Sequence, residues 1–378
     1  LSIRRQRQMC IRDRACALTF VLGSCSDEMF DNAGQVNEPS SQNTRAVGDA
    51  NWSKAYVLCE GTWKQEPPSL PGRLITYDNN WIGTDTLEVG DTGNDLIQYG
   101  SKLYCAVSGH DLTADNGGIW VLNAATGVPC TTAMKQYDDP KNGHKAMPRR
   151  LAAYGGEVYV SLYSGAVMVI DTIDFEMKNA VPLNATYSEG ICVANNTVYV
   201  CNSGNTGDSY AGQGTTISRL TTDLEILEPI TVPTNPKLIA QAPNGTLYFN
   251  SLGNYTTEKS ALYKLEGEGY SHVANLADAF KIGDNAIYTT YVDWYDPNYE
   301  MPTTLQKVSF SGDVTPFTTD IPYMMLGYSV SVNPFNGDVC FGQSGQNLYV
   351  YNSDGAPIHT DYPIETGTAN VNTVLFVK

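Results

Sequence analysis

One short phrase recurs seven times along this chain and leaves few folds open to it. The copies read AYVLCEG from Ala55, KLYCAVSG from Lys102, EVYVSLYSG from Glu157, TVYVCNSG from Thr197, TLYFNSLG from Thr246, AIYTTYVD from Ala286 and DVCFGQSG from Asp338. Each is an apolar, aromatic run into Gly or Ser, or into Asp in the sixth copy. From Tyr56 to Cys340 the six steps average about 47 residues. A period of roughly 40–50 residues made of several short strands marks a β-propeller.

The remainder of each repeat agrees. A second strand follows each copy: RLITYD, GIWVLNAATG, AVMVIDTID, TISRLTTD, ALYKLEGEG, TLQKVSFSG and NLYVYNSDG. Before the phrase lies another strand closed by a tight turn, as in IQYGSK, AAYGGE, VANNT, APNGT, IGDNA and NPFNGD. Gly and Asn in those turns supply the positive φ that two-residue hairpins need. No helical period interrupts the aromatic and β-branched runs. The expected fold is all-β, a seven-bladed β-propeller over residues 52–378 with four antiparallel strands (A to D from the inside) per blade. The first copy has no inner strand before it, whereas NVNTVLFVK (Asn370–Lys378) is a spare strand after the last repeat. This C-terminal strand is expected to close the ring as the innermost strand of the first blade.

The N-terminus addresses location. ACALTFVL (Ala15–Leu22) is a short apolar run behind five Arg, and it ends in Leu-Gly-Ser-Cys. Basic flank, apolar core and small residues make a secretory signal over residues 1–24, of which 1–14, with QMCIRDR, read as translated adaptor sequence. Cys25 stands where a bacterial lipobox has its lipidated residue, and Ser26-Asp27-Glu28 resembles the acidic tag that exports Bacteroidota lipoproteins to the outer face of the outer membrane. Residues 25–51 then serve as lipidated Cys and polar, flexible stalk. No apolar stretch is long enough to span a membrane as a helix. Loss of residues 1–24, with five Arg and one Asp, takes the formal charge from −17 to −21, which argues against nucleic acid and anionic membrane surfaces as partners. The nine Cys show no CxxC, and most fall inside strands as buried thiols. Cys192 and Cys201 flank one hairpin on a diagonal, and no disulfide is expected between them.

Function should lie on one face of the disc. The A–B and C–D turns are tight, whereas five B–C connections are long: Glu60–Gly72, Ser108–Gly118, Ser203–Gly214, Leu252–Ser260 and Val292–Thr303, with the D–A connection Tyr137–Met147 on the same side. Long loops on a rigid scaffold are where binding residues concentrate. They carry Trp63, His110, Tyr210, Tyr255, Trp294, Tyr295 and Tyr299, with Tyr163 at the end of a short loop. Such aromatics suit a planar or sugar-like ligand, or else pack the loops on one another. The channel entrance on this face should be ringed by Asp95, Arg149, Glu189 and Lys237, charges that either hold a polar ligand or pair among themselves. Catalytic signals are weak. The four His lack metal-binding spacing, and no GxSxG elbow, Walker loop or GxGxxG at a strand–helix junction occurs. No catalytic residue, metal or cofactor is expected.

The segments AYVLCEGTW, VGDTGNDLIQYGSKLY, PRRLAAYGGEVYVSLYSG, GICVANNTVYVCNSG, NPKLIAQAPNGTLYFNSLGNY and PYMMLGYSVSVNPFNGDV resemble the YncE-like β-propeller lipoproteins of Bacteroidota, across nearly all of residues 52–378. Cys59, where that family has Asn, and the Pro-rich Glu60–Gly72 loop depart from the pattern. The resemblance implies a monomeric, surface-exposed, lipid-anchored protein of the cell outer membrane, associated with a TonB-dependent outer-membrane transporter. One branch of the family captures corrinoids such as vitamin B12. The leading expectation is therefore ligand capture and delivery, with a corrinoid as ligand. The alternatives are a protein- or glycan-interaction module and, third, a propeller lyase or hydrolase.

Overall fold

In every repeat the phrase forms the second strand, and its Tyr explains why it recurs. Tyr56, Tyr104, Tyr159 and Tyr248 are all but fully buried. Tyr56 Oη donates to the Ala124 carbonyl at 2.9 Å, and Tyr159 Oη to that of Thr222 at 3.1 Å. Both acceptors sit in the C–D turn of the following blade. In these two the ring fills the space between two sheets while the hydroxyl ties them together; the buried Tyr104 hydroxyl has no partner among the described residues.

The computed structural model describes residues 52–62, 70–111, 113–204, 214–255, 257–358 and 363–378. The segments expected to be leader and stalk, with Cys25, and also Trp63 and Tyr210 lie outside them. Among the described residues seven antiparallel sheets follow one another along the chain, without helices. Their inner strands are Val371–Val377, Gly93–Tyr99, Pro148–Tyr154, Thr186–Ala194, Pro236–Gln241, Ala279–Ile282 and Gly327–Val332. Each contacts the next in turn, and the last contacts the first. The ring closes through the C-terminal strand: Lys54–Cys59 pairs with Gly72–Asp78 on one side and with Val371–Val377 on the other.

The core is divided into apolar layers between blades rather than gathered at one centre. At the closure, Phe376 packs edge-on against Trp52 at 5.1 Å and Trp81 at 5.9 Å, beside buried Ile75, Val371 and Val374. Each such buried side chain contributes about 1.5–3 kcal/mol. In the second blade the fourth strand is reduced to isolated bridges, Leu122 with Pro129 and Ile119 with Lys135. Pro129 has no N–H for a ladder, and Cys130 donates instead to Val121 at 2.7 Å. Cys192 lies opposite Tyr199, diagonal to Cys201, and both are free thiols. Burial pushes the thiols of Cys59 and Cys192 up to about 12, and those of Cys105, Cys201 and Cys340 upward as well, so they are inert.

Candidate functional site

The start of the inner strands repeats one backbone device. Thr92, Tyr187, Asn235, Leu276, Leu326 and Asn370 have φ of 64°, 51°, 64°, 63°, 47° and 59°. Side chains rarely adopt this left-handed region, and β-branched or bulky residues do so least readily. Two residues further on stand Asn94, Glu189, Lys237, Asp278, Tyr328 and Asn372, and Arg149 holds the equivalent position in the third blade. Except in the sixth blade, pairing with the second strand shifts register at these residues. Such bulges re-aim side chains and occur beside functional sites. The seven positions form a polar ring at the channel mouth, on the face of the long loops.

The ring is stitched blade to blade. Arg149 Nε donates to Glu189 Oε2 at 2.8 Å, and its Nη1 to Asn94 Oδ1. Glu60, at the end of the first phrase, accepts from Tyr328 Oη at 2.9 Å and from Asn372 Nδ2 at 2.6 Å. Lys237 makes no ion pair among the described residues, and its Nζ stands 5.9 Å above the Tyr328 ring. One step deeper, Arg150 Nη1 donates to Asn372 Oδ1 at 3.1 Å and lies 3.8 Å from Asp95. Asp95 Oδ2 accepts from the Leu151 amide at 2.9 Å. Lys281, on the innermost strand of the sixth blade, is open to water. Burial nevertheless lowers its ammonium pKa, with Arg150 adding to the effect and Asp95 opposing it, as befits the wall of a narrow hydrated channel. Across both tiers Arg149, Arg150, Lys237 and Lys281 balance Glu60, Asp95, Glu189 and Asp278. Such a floor suits a polar ligand of little net charge.

Aromatics rise from it. Tyr163 sits 5.5 Å from the Arg149 guanidinium and edge-on to Tyr187 at 4.9 Å. Tyr255, 47% exposed, is held by Asn235 Nδ2, which donates to its Oη at 2.7 Å. Burial pushes the Tyr255 phenol up; Asn235 opposes, while Glu189, Asp278 and Tyr295 add to the rise. Glu189, Asp278 and Tyr295 therefore lie within electrostatic reach of Tyr255.

Of the expected residues, Arg149, Glu189, Lys237, Tyr163 and Tyr255 meet at the mouth. Asp95 lies one position beyond the ring, where Asn94 stands, because a single-residue step turns a strand side chain to the other face. His110 joins a separate cluster with Asp91 and Asp111, each at 3.3 Å, and Asn116 at 3.2 Å. Trp294, Tyr295 and Tyr299 are 48%, 71% and 79% exposed on the sixth blade's loop. Glu60, Asn94, Asp278, Tyr328 and Asn372 were not foreseen, although aligning the seven inner strands on the polar residue before each apolar run would have found all but Glu60. No group of His, Cys, Asp and Glu among the described residues has the arrangement of a metal site. Two clefts of about 330 and 360 Å³ lie on the flanks of the fifth and sixth blades, away from the channel.

Fold and ring together define a β-propeller with an elaborated polar channel mouth. No protein-family model matches the chain, and no curated protein matches it. Among solved structures, the chain is similar to a quinonprotein alcohol dehydrogenase-like protein from Bacteroides thetaiotaomicron, with 12% identity, 87% of this chain and 79% of that chain covered, and a TM-score of 0.57. At that identity the likeness is one of fold.

Proposed function

We propose that this protein is a lipid-anchored receptor of the outer cell surface that captures a ligand at the channel mouth and passes it to a TonB-dependent transporter. The observation that carries the reading is the ring itself: polar residues re-aimed by bulges, behind strained backbone, under an aromatic rim. Strain of this kind costs about 1–3 kcal/mol per residue, persists only where the surrounding structure over-determines it, and clusters at ligand sites. A corrinoid is the specific ligand proposed, on the resemblance to the YncE-like lipoproteins. Its large ring face fits Tyr163, Tyr187 and Tyr255, and its amide edge fits a floor of balanced charge. On this reading the protein binds and releases its ligand without chemistry, because Arg149 and Glu189 are engaged with each other.

Calorimetric titration of unlipidated Ser26–Lys378 with cyanocobalamin tests the assignment. Saturable binding, lost when Tyr163 and Tyr255 are changed to Ala, is the expected outcome. Absence of binding removes the corrinoid. The exposed Trp294, Tyr295 and Tyr299 favour one second reading, a protein- or glycan-interaction module, for which exposed aromatics on one loop are apt.

A further inference from the structure

The flank of the fifth blade carries a cleft of about 330 Å³ that plays no part in the channel mouth. It lies at the small end of the range for small-molecule sites, roughly 300–1,000 Å³. Its walls come from the connection between the fourth and fifth blades (Thr234), the end of the second strand (Ser251), the long loop (Glu258, Lys259) and the outer strands (Tyr263, Tyr270).

The aromatic wall is rigid. Tyr263 stacks on buried Phe249 at 5.3 Å and 19°, and Tyr270 stands at 89° to Tyr263 with ring centroids 5.6 Å apart. Tyr270 is nevertheless 44% exposed. Among the described residues neither phenol hydroxyl makes a hydrogen bond, and the Glu258 carboxylate has no ion pair. Lys259 does not supply one, because its ammonium reaches the other way, to Asp293 at 3.3 Å and over the Tyr291 ring at 5.7 Å. Its methylene stem is what remains to line the cleft. Two unengaged phenols, a free carboxylate acceptor and a fixed aromatic face thus converge on one cavity.

From this convergence we infer that the cleft is a saccharide subsite for a single pyranose unit. A pyranose presents a C–H face to an aromatic ring and hydroxyls that both donate and accept, so it satisfies Tyr263, Tyr270 and Glu258 together. An organic cation would use the rings and the carboxylate but leave both phenol hydroxyls unmatched.

The test is calorimetric titration of unlipidated Ser26–Lys378 with methyl glycosides of glucose, galactose, mannose and N-acetylglucosamine, and with tetramethylammonium. One glycoside should bind with a dissociation constant of about 1 mM or tighter and lose at least about tenfold in Tyr270→Ala. Glu258→Gln should weaken it less, and both exposed variants should melt as the wild type does. Three outcomes overturn the inference: no glycoside binds, binding is indifferent to Tyr270→Ala, or tetramethylammonium alone binds in a Tyr270-dependent way. Cyanocobalamin binding at the channel mouth should survive Tyr270→Ala, which keeps the two sites separable.

Discussion

Arg149 and Glu189 are 15% and 8% exposed, and each is the other's principal counter-charge. Removing one partner of a buried pair costs about 3–5 kcal/mol, because the remaining charge is stranded. Water in the channel mouth reduces that figure, so Arg149→Ala should destabilise by about 2–3 kcal/mol. Adding Glu189→Gln should restore part of the loss, as read from a denaturation double-mutant cycle. The pH dependence has a definite sign. Burial pushes the Glu189 carboxyl up, but Arg149, through charge and hydrogen bond, with Lys237 and Arg150 behind it, holds it below the ordinary Glu value. A depressed carboxylate adds stability above its unfolded pKa of about 4.3 and loses it as pH falls through the lower folded value. Wild type should therefore lose stability more steeply below about pH 4.3 than Glu189→Gln does. Charged residues at strand starts made this pair legible in the sequence. Asn94, Tyr328 and Asn372 were not, being neutral, and Glu60 was hidden at the end of a repeated phrase. The left-handed residues were equally silent. Only Asn235 and Asn370 are types that favour positive φ, whereas Thr92, Tyr187, Leu276 and Leu326 are not.

The element on which the molecule depends is the C-terminal strand. Without Asn370–Lys378 the first blade loses its inner strand, Phe376 leaves Trp52 and Trp81, and Glu60 loses Asn372. The truncated chain should fail to fold. Phe376→Ala, which leaves the ladder intact, should cost about 3–5 kcal/mol by cavity formation, measured by denaturant unfolding. A soluble truncated chain with unchanged melting would contradict the closure account. The closing strand was readable because the repeat count left one strand over and one place empty. The broken fourth strand of the second blade was not, since it turns on a single Pro129 inside an otherwise regular repeat. The long B–C loops were readable as spacing, but their conformations depend on contacts with other connections, such as Asn235 with Tyr255, which no local pattern encodes.

At the scale of the whole molecule, an acidic chain with 23 Lys and Arg places four of them in two tiers around its channel, against four carboxylates. Arg149 pairs with Glu189 and Arg150 bonds Asn372, whereas Lys281, its pKa also lowered by burial, faces water. Lys237 stands within the ring itself. Burial lowers its ammonium pKa, Glu189 and Asp278 oppose the shift, and Arg149 and Arg150 add to it. A base depressed in this way costs the fold stability at neutral pH, when it is charged. On the proposed reading Lys237 is placed in the ring for a ligand and not for stability, since residues kept for binding trade against stability. The most direct measurement of the central claim is therefore the melting temperature of Lys237→Met. The account predicts a rise of about 1–3 °C, because the methionine fills the same space without the buried charge. A fall in melting temperature as large as that of Arg149→Ala would contradict it, and would make Lys237 a structural tie of the ring and not a group held ready for a ligand.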